Sequence, residues 1–197
     1  MINTEHKSLN GAIFNFSPSL KGSSSFITSY IYEQLLSNKI RVEVINVCKF
    51  KILPCNDCSN YCFRYGRCKI KDDEMYKIYE ILIKKEFFIF VTPVYFYHLP
   101  GYAKIMIDRC QPYWVRKYVL KIFDIDKKLG FLVCIGATKG KRLFSGINLT
   151  IKYFFDIFNI QFDKKNNLYL RNIETKEDID KKIIDGYIYN LFKLIKV

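Results

Sequence analysis

Apolar residues in this chain gather into short runs. Between the runs they recur every three or four positions. Residues 11–16 (GAIFNF), 41–47 (RVEVINV), 86–92 (EFFIFVT) and 129–135 (LGFLVCI) predict four buried strands, and 168–170 a fifth. The third run is apolar throughout, as expected of a strand covered on both faces. Helical stepping appears at Phe26, Ile27, Tyr30, Ile31 and Leu35, interrupted by Gln34 and ending near Asn38. A second helix, capped by Asp72, turns Met75, Ile78, Tyr79, Leu82 and Ile83 inward. A third starts near Tyr102, with Ile105, Met106 and Arg109 running from core to rim. The fourth, 144–158, is strongly aromatic. Thr175 and Asp178 form a capping-box pattern that predicts the start of a last helix through Ile179, Ile183, Ile184, Tyr187, Ile188, Leu191, Phe192 and Ile195.

Strands that alternate with helices predict a three-layer α/β sandwich around a parallel sheet. Crossovers between parallel strands are right-handed, so few topologies remain. Ligands of such sheets bind beyond the carboxyl ends of the strands. The loops after strands one, three and four are therefore expected along one edge. Neither an internal repeat nor a linker interrupts residues 1–197, which predicts one domain with a cysteine-rich insertion at about 54–69.

Composition adds limits. Half of the 197 residues are hydrophobic and 17% are aromatic, which predicts a folded core and excludes a disordered chain. No apolar run approaches the ~18 residues of a membrane span. The polar start, MINTEHKSLNG, has no apolar signal core, so the expected location is the cytoplasm, where thiols stay reduced. Net charge is +13, from 32 basic and 19 acidic residues, with the lysines scattered along the chain. This scatter, without a nucleic-acid motif, argues against a nucleic-acid partner. An acidic electron-transfer protein or a phosphorylated cofactor uses such a charge better.

Four of the seven cysteines fall in CNDCSNYCFRYGRC, spaced C-x2-C-x3-C-x5-C. Four soft sulfur donors this close suit an iron-sulfur cluster or tetrahedral zinc. The alternatives are reduced structural thiols, or two disulfides in a secreted protein. Cys48, Cys110 and Cys134 fall on strand or helix positions and are expected to be buried. His6 and His98 are the only histidines and lie far apart, which argues against a histidine-based zinc site or triad.

Three loops carry further chemistry. Ser17, Ser19, Ser23, Ser24 and Ser25 precede a helix N-terminus, with Lys21 among them. Hydroxyls and free N–H groups so placed suit a monophosphate, although an ordinary capped turn has the same composition. The glycines of a P-loop or a dinucleotide fingerprint are absent. Residues 92–97 (TPVYFY) offer aromatic faces on which a planar, electron-poor ring could stack, unless they are simply core. Residues 136–142 (GATKGKR) fall one residue short of a Walker A loop and end in Arg142, so a triphosphate site is rejected. The small residues of this third loop would let a flat cofactor approach the backbone; a plain turn is the alternative.

The order of FSPSLKGSS, the cysteine cluster with Gly66 and Asp72-Asp73, TPVYF and KIMIDR resembles the flavodoxin-like NAD(P)H-dependent FMN reductases, and among them the iron-sulfur flavoproteins. The resemblance covers roughly residues 11–136. It implies a flavodoxin-like sandwich with a five-stranded parallel sheet in the order 2-1-3-4-5. It implies FMN, with its phosphate at Ser17, Ser19, Ser23 and Ser24. The flavin ring would lie along Pro93, Val94, Tyr95 and Phe96 and touch Gly136, Ala137 and Thr138. Cys55, Cys58, Cys62 and Cys68 would hold a [4Fe-4S] cluster, with zinc the lesser possibility. A homodimer or homotetramer is implied, with the flavin near the interface. Three departures stand out: Phe16 and Ser19 replace the family's Gly and Arg, Ser23-Ser24 replaces Asn-Thr, and the middle cysteine spacing is C-x3-C instead of C-x2-C.

The expectation is a redox flavoprotein that passes electrons between a reduced donor, FMN and a cluster, without an acid-base triad. NAD(P)H and an acidic ferredoxin-like protein are the candidate donors. The rivals are an NAD(P)H-dependent FMN or quinone reductase without a cluster, and a non-enzymatic zinc-stabilised binding module.

Overall fold

The computed structural model describes residues 9–56 and 58–195. The first apolar run forms β1 (Asn10–Asn15), followed by helix α1 (Ser23–Ser37) and β2 (Arg41–Asn46). The cysteine segment contains a short helix, α2 (Tyr61–Tyr65), and leads to α3 (Met75–Lys84) and β3 (Phe87–Pro93). Then come α4 (Gly101–Asp108), the single turn α5 (Gln111–Trp114), a π turn at Val115–Val119 and β4 (Lys128–Ile135). The chain closes with α6 (Ser145–Ile157), β5 (Ile160–Phe162), β6 (Leu168–Leu170) and α7 (Lys181–Ile195).

The sheet runs β2-β1-β3-β4-β5, all parallel, with β6 also paired to β4. The expected strand order is therefore present, with one correction. The fifth position is shared by two short strands. β5 pairs with the start of β4 (Lys128 with Ile160), and β6 with its end (Ile135 with Leu170). Between them the Asn167 side chain accepts a hydrogen bond from the Leu132 N–H at 2.9 Å. A side-chain amide thus bridges the gap in the backbone ladder, which would otherwise leave a donor unpaired.

Strand alternation divides the core into two layers. Phe14, Phe16, Phe88, Phe90, Leu132 and Cys134 face one side, where α3, α4 and α6 add Ile78, Met106, Ile151, Phe154 and Phe155. Ile13, Phe87, Ile89, Val91, Phe131 and Val133 face the other, against Ile27, Ile31 and Leu35 of α1 and Ile184, Ile188 and Leu191 of α7. Both faces of β3 are buried, which explains its unbroken apolar run. The first layer is aromatic: Phe90 meets Phe155 edge-on, with centroids 4.9 Å apart. Each such ring contributes about 1.5–3 kcal/mol through burial.

Smaller corrections follow the same physics. The helix after the cysteine segment is anchored by Asp73, whose carboxylate accepts from the Met75 N–H at 3.1 Å, rather than by Asp72. Ile83 is exposed, since the inward stripe of α3 is set by Met75, Ile78 and Leu82. The Thr175–Asp178 capping box closes a separate 3-10 turn, and α7 begins only at Lys181. Cys110 and Cys134 are buried as expected, but Cys48 lies half-exposed in a 3-10 turn after β2. His6 and most of the polar start lie outside the described residues.

Candidate functional site

Parallel pairing brings the ends of the strands level. Asn15 pairs with Asn46 and Val91, and Pro93 with Ile135. The loops after β1, β3 and β4 consequently leave the sheet along one edge. Backbone bonds tie them there: Phe16 N–H to the Val91 carbonyl, Val94 N–H to Ile135, and Gly136 N–H to Leu170, each 2.9 Å.

The first loop is held from below by Asn15, a buried amide at the end of an apolar strand. Its Nδ2 donates to Ser25 Oγ (2.9 Å) and Asn46 Oδ1 (2.8 Å), while its Oδ1 accepts from the Ser17 N–H (3.1 Å). The Ser17 hydroxyl accepts from the Ser19 N–H and donates to its carbonyl. Above this frame α1 begins at Ser23 with Gly22 as its N-cap. The first turn has no side-chain cap and no acidic residue, so its N–H groups keep their partial positive charge. Ser19 and Lys21 are exposed, Ser23 is half-exposed, and Ser17 and Ser24 are buried at the base.

The second loop is a tight turn. Tyr95 and His98 exchange both backbone hydrogen bonds at 2.9 Å, with Phe96 and Tyr97 at positive φ (48° and 61°). This geometry pushes the Phe96 ring into solvent, at 103% relative exposure, with Tyr95 and Tyr97 about half exposed. The core alternative for these aromatics does not hold. His98 is half-buried, and its Nε2 lies 3.1 Å from Thr150 Oγ1, which pins the turn to α6. Tyr97 leans over the third loop. A Cβ at Gly140 would collide with its hydroxyl, so only glycine admits this approach. Ala137, Thr138 and Lys139 are exposed beside it. The result is an open shelf of aromatic faces and loop backbone, next to an uncapped helix N-terminus.

The cysteine segment leaves the same end of the sheet after β2. Positive φ at Ser59, Asn60 and Gly66 turns the chain around α2, keeping Cys55, Cys58, Cys62 and Cys68 on one short stretch. Partial desolvation pushes the Cys55 thiol up, and the neighbouring Cys58 and Cys68 add to the rise. Cys62 is raised likewise, by burial first and then by Cys58. Cys55 and Cys62 thus feel the neighbouring cysteines. Among the described residues, no three of them are drawn into a closed metal cage.

The base of this segment is clamped by Arg109, whose side chain is 1% exposed. It donates to the Leu53 carbonyl (2.7 Å), ahead of the first cysteine, and to the Ile70 carbonyl (3.4 Å), after the last. It also pairs with buried Asp73. Burial drives the Asp73 carboxyl up, but the Arg109 hydrogen bond and the Leu53 and Met75 N–H groups hold it below its usual value. A buried pair of this kind is costly to break from one side, about 3–5 kcal/mol.

The structure therefore brings Ser17, Ser19, Ser23, Ser24, Pro93, Val94, Tyr95, Phe96, Gly136, Ala137 and Thr138 to one edge, with the four cysteines on a neighbouring segment. Sequence reasoning passed over the role of Asn15, the approach of Tyr97 to Gly140, and the Asp73–Arg109 clamp. An asparagine ending an apolar run was a usable signal for the first. The clamp spans 36 positions and left none.

A family model described as NADPH-dependent FMN reductase matches residues 11–143. An iron-sulfur flavoprotein of Archaeoglobus fulgidus is 33% identical over 90 residues, which is 45% of this chain and 43% of that protein's length. One of Methanocaldococcus jannaschii is 27% identical over 145 residues, covering 73% of this chain and 68% of its own. The chain thus matches less than half of the first relative and about two thirds of the second. Among solved structures, an NAD(P)H:quinone oxidoreductase from Methanothermobacter marburgensis superposes with a TM-score of 0.69 at 13% identity, covering 96% of this chain and 95% of that one. An FMN-dependent NADH-azoreductase from Bacillus anthracis, in complex with FMN, gives 0.64 at 11% identity, covering 95% and 99%. At such identities the structural likeness speaks for the fold.

Proposed function

The chain belongs to the NADPH-dependent FMN reductase family, and from that premise we propose that it is an FMN-dependent oxidoreductase of the iron-sulfur flavoprotein type. The observation that carries the reading is the meeting, at one sheet edge, of an uncapped helix N-terminus and an open aromatic shelf. The donor set fits FMN. The first-turn N–H groups of α1, with Ser17, Ser19, Ser23 and Ser24, suit its phosphate. Pro93, Val94, Tyr95 and Phe96 suit the flat ring, and Gly136, Ala137 and Thr138 suit its polar edge. FMN, when bound, supplies both hydride and single-electron chemistry.

The protein's own part is binding and exclusion. Asn15 keeps the serine loop in place, so the phosphate donors are pre-organised. The Phe96 turn, pinned by His98 and Thr150, keeps an aromatic face where a ring would stack. An exposed ring of this kind also suits cover by a second copy of the chain, so we infer a homodimer or homotetramer with the flavin near its interface.

Cys55, Cys58, Cys62 and Cys68 are the proposed ligands of a [4Fe-4S] cluster. The gathering of four cysteines within fourteen residues and the relatives' names support this. Binding of metal by these cysteines would release their thiol protons to solvent. The net charge of +13 suits NADPH or an acidic electron-transfer protein as donor. A cluster-free FMN or quinone reductase is the second reading, favoured by the description of the matching family model, NADPH-dependent FMN reductase.

The test is the visible spectrum of anaerobically purified protein, with iron and zinc assayed on the same sample. Flavin bands with about four irons per chain, bleached by NADPH or a reduced ferredoxin, are the expected result. Flavin without iron would select the second reading. A colourless protein that rejects added FMN would overturn both.

A further inference from the structure

A cavity of about 380 Å³ lies between the end of the cysteine segment, α3 and the π turn after α5. Its size falls in the ~300–1,000 Å³ range of small-molecule sites. It shares no residue with the shelf at the sheet edge.

Its wall is unusually cationic. Arg67, Lys71, Arg109 and Arg116 line it, against a single carboxylate, Asp73. That carboxylate is committed to Arg109. Among the described residues, no ion pair involves Arg67, Lys71 or Arg116. The Arg116 guanidinium sits over the Tyr113 and Phe123 rings, 5.4 and 5.2 Å from their centroids, and its Nε–H is buried without a hydrogen-bond partner. The Nε–H of Arg109 is buried and unpartnered as well.

Buried polar groups without partners are rare, and exposed Arg67 and Lys71 with half-buried Arg116 give the cavity a cationic wall without a free counter-ion. Tyr76, Tyr79 and Tyr113 supply aromatic surface on the same walls. Cations with open donors select an acid group, and tyrosine rings select a flat body.

We propose that this cavity binds a flat aromatic carboxylate, with the acid group held by Arg116 and Lys71 and the ring lying against the tyrosines. Cys68 forms part of the wall, so the ligand rests against the last of the four clustered cysteines. Arg109 joins the two features, since it lines the cavity and also holds both ends of the cysteine segment.

The probe is 2-naphthoate, titrated by calorimetry into anaerobically purified protein with FMN present in excess. The uncharged 2-naphthalenemethanol serves as its control. One naphthoate per chain is expected, with the alcohol at least about tenfold weaker, as charge-assisted hydrogen bonds imply. Arg116→Gln and Lys71→Gln should each weaken naphthoate about tenfold, with the urea midpoint and FMN uptake unchanged. Lys71 is exposed, so its variant remains informative if Arg116→Gln folds poorly. Equal binding of the alcohol would overturn the proposal. So would undiminished binding in Lys71→Gln, or no heat at millimolar naphthoate.

Discussion

Phe96 and Phe90 show how little a residue's type says about its task. Both are phenylalanines in or beside the same strand. Phe90 is wholly buried among Phe14, Phe16, Phe154 and Phe155, whereas Phe96 is fully exposed on a turn with positive φ. An exposed ring contributes little to folding, and surface substitutions usually stay within about 0.5 kcal/mol. Phe96→Ala should therefore leave the urea midpoint in place. It should weaken FMN several-fold, because stacking on an aromatic face is worth about 0.5–1.5 kcal/mol. Fluorescence quenching of free FMN on titration with protein measures this. Unchanged affinity would remove Phe96 from the shelf. At this scale the serines and aromatics of the shelf were legible because hydroxyl-rich and aromatic loops stand out against strand patterns. Asn15 stood out in sequence only as a polar residue in an apolar run; its partners, Ser25 and Asn46, lie ten and 31 positions away.

Among the elements, the fifth sheet position was the hardest to read. β6 was read at 168–170, but β5, three residues long like it, was missed because so short a run leaves no alternation to register. Their pairing with one strand, β4, depends on Asn167 bridging the interruption. Its Nδ2 also donates to the Tyr169 hydroxyl at 3.3 Å, and that hydroxyl donates on to Asn148 of α6 at 2.5 Å. Asn167→Ala leaves the Leu132 N–H without its acceptor, which should cost about 1–3 kcal/mol. Chemical denaturation reads the loss; a variant within 0.5 kcal/mol of the parent (about the spread of neutral surface changes) would mean that water replaces the amide. The capping box gives the converse lesson. Its local chemistry was identified correctly, since Asp178 does accept from the Thr175 N–H at 2.8 Å. α7 starts beyond it, where Asp180 accepts from the Lys182 N–H at 2.9 Å and Ile184 is the first helical residue buried against the sheet.

For the molecule as a whole, burial of ionisable groups sets a pH dependence. Cys110 and Cys134 lie in the aromatic layer, and desolvation raises both thiols above their ordinary value of 9.0. In the unfolded chain these thiols ionise near that value, while the folded protein keeps their protons. Their contribution is therefore complete below pH 9 and is lost as pH rises toward the folded values. Lys128 acts in the opposite sense. Burial lowers its ammonium from 10.5 to about 8, so its share of stability increases across that interval. The Cys55 and Cys62 thiols and the Tyr79 and Tyr187 phenols, all raised by burial, act in the same sense as Cys110 and Cys134, so a net loss of stability is expected above pH 9. Urea midpoints at pH 8.5 and 10 should show this fall. A rise across the interval would mean that the amine outweighs the thiols and phenols.

The division of labour between chain and fold has a simple physical basis. Alternation within strands, helical spacing between them and the handedness of crossovers are local or near-local properties. They were enough to specify a parallel three-layer sheet and to bring the serine, aromatic and glycine loops to one edge. The spacing of the cysteines likewise marked them as a candidate ligand set. The rest depends on groups distant in sequence. Arg109 was read as lying between core and rim, yet it is buried because Asp73 and the carbonyls of Leu53 and Ile70 close around it. Tyr97 reaches the third loop because Gly140 leaves room. The cationic cavity exists only where the cysteine segment, α3 and the π turn come together. Desolvation, pairing and cavity shape are properties of neighbours in space, so the tertiary structure alone could decide them.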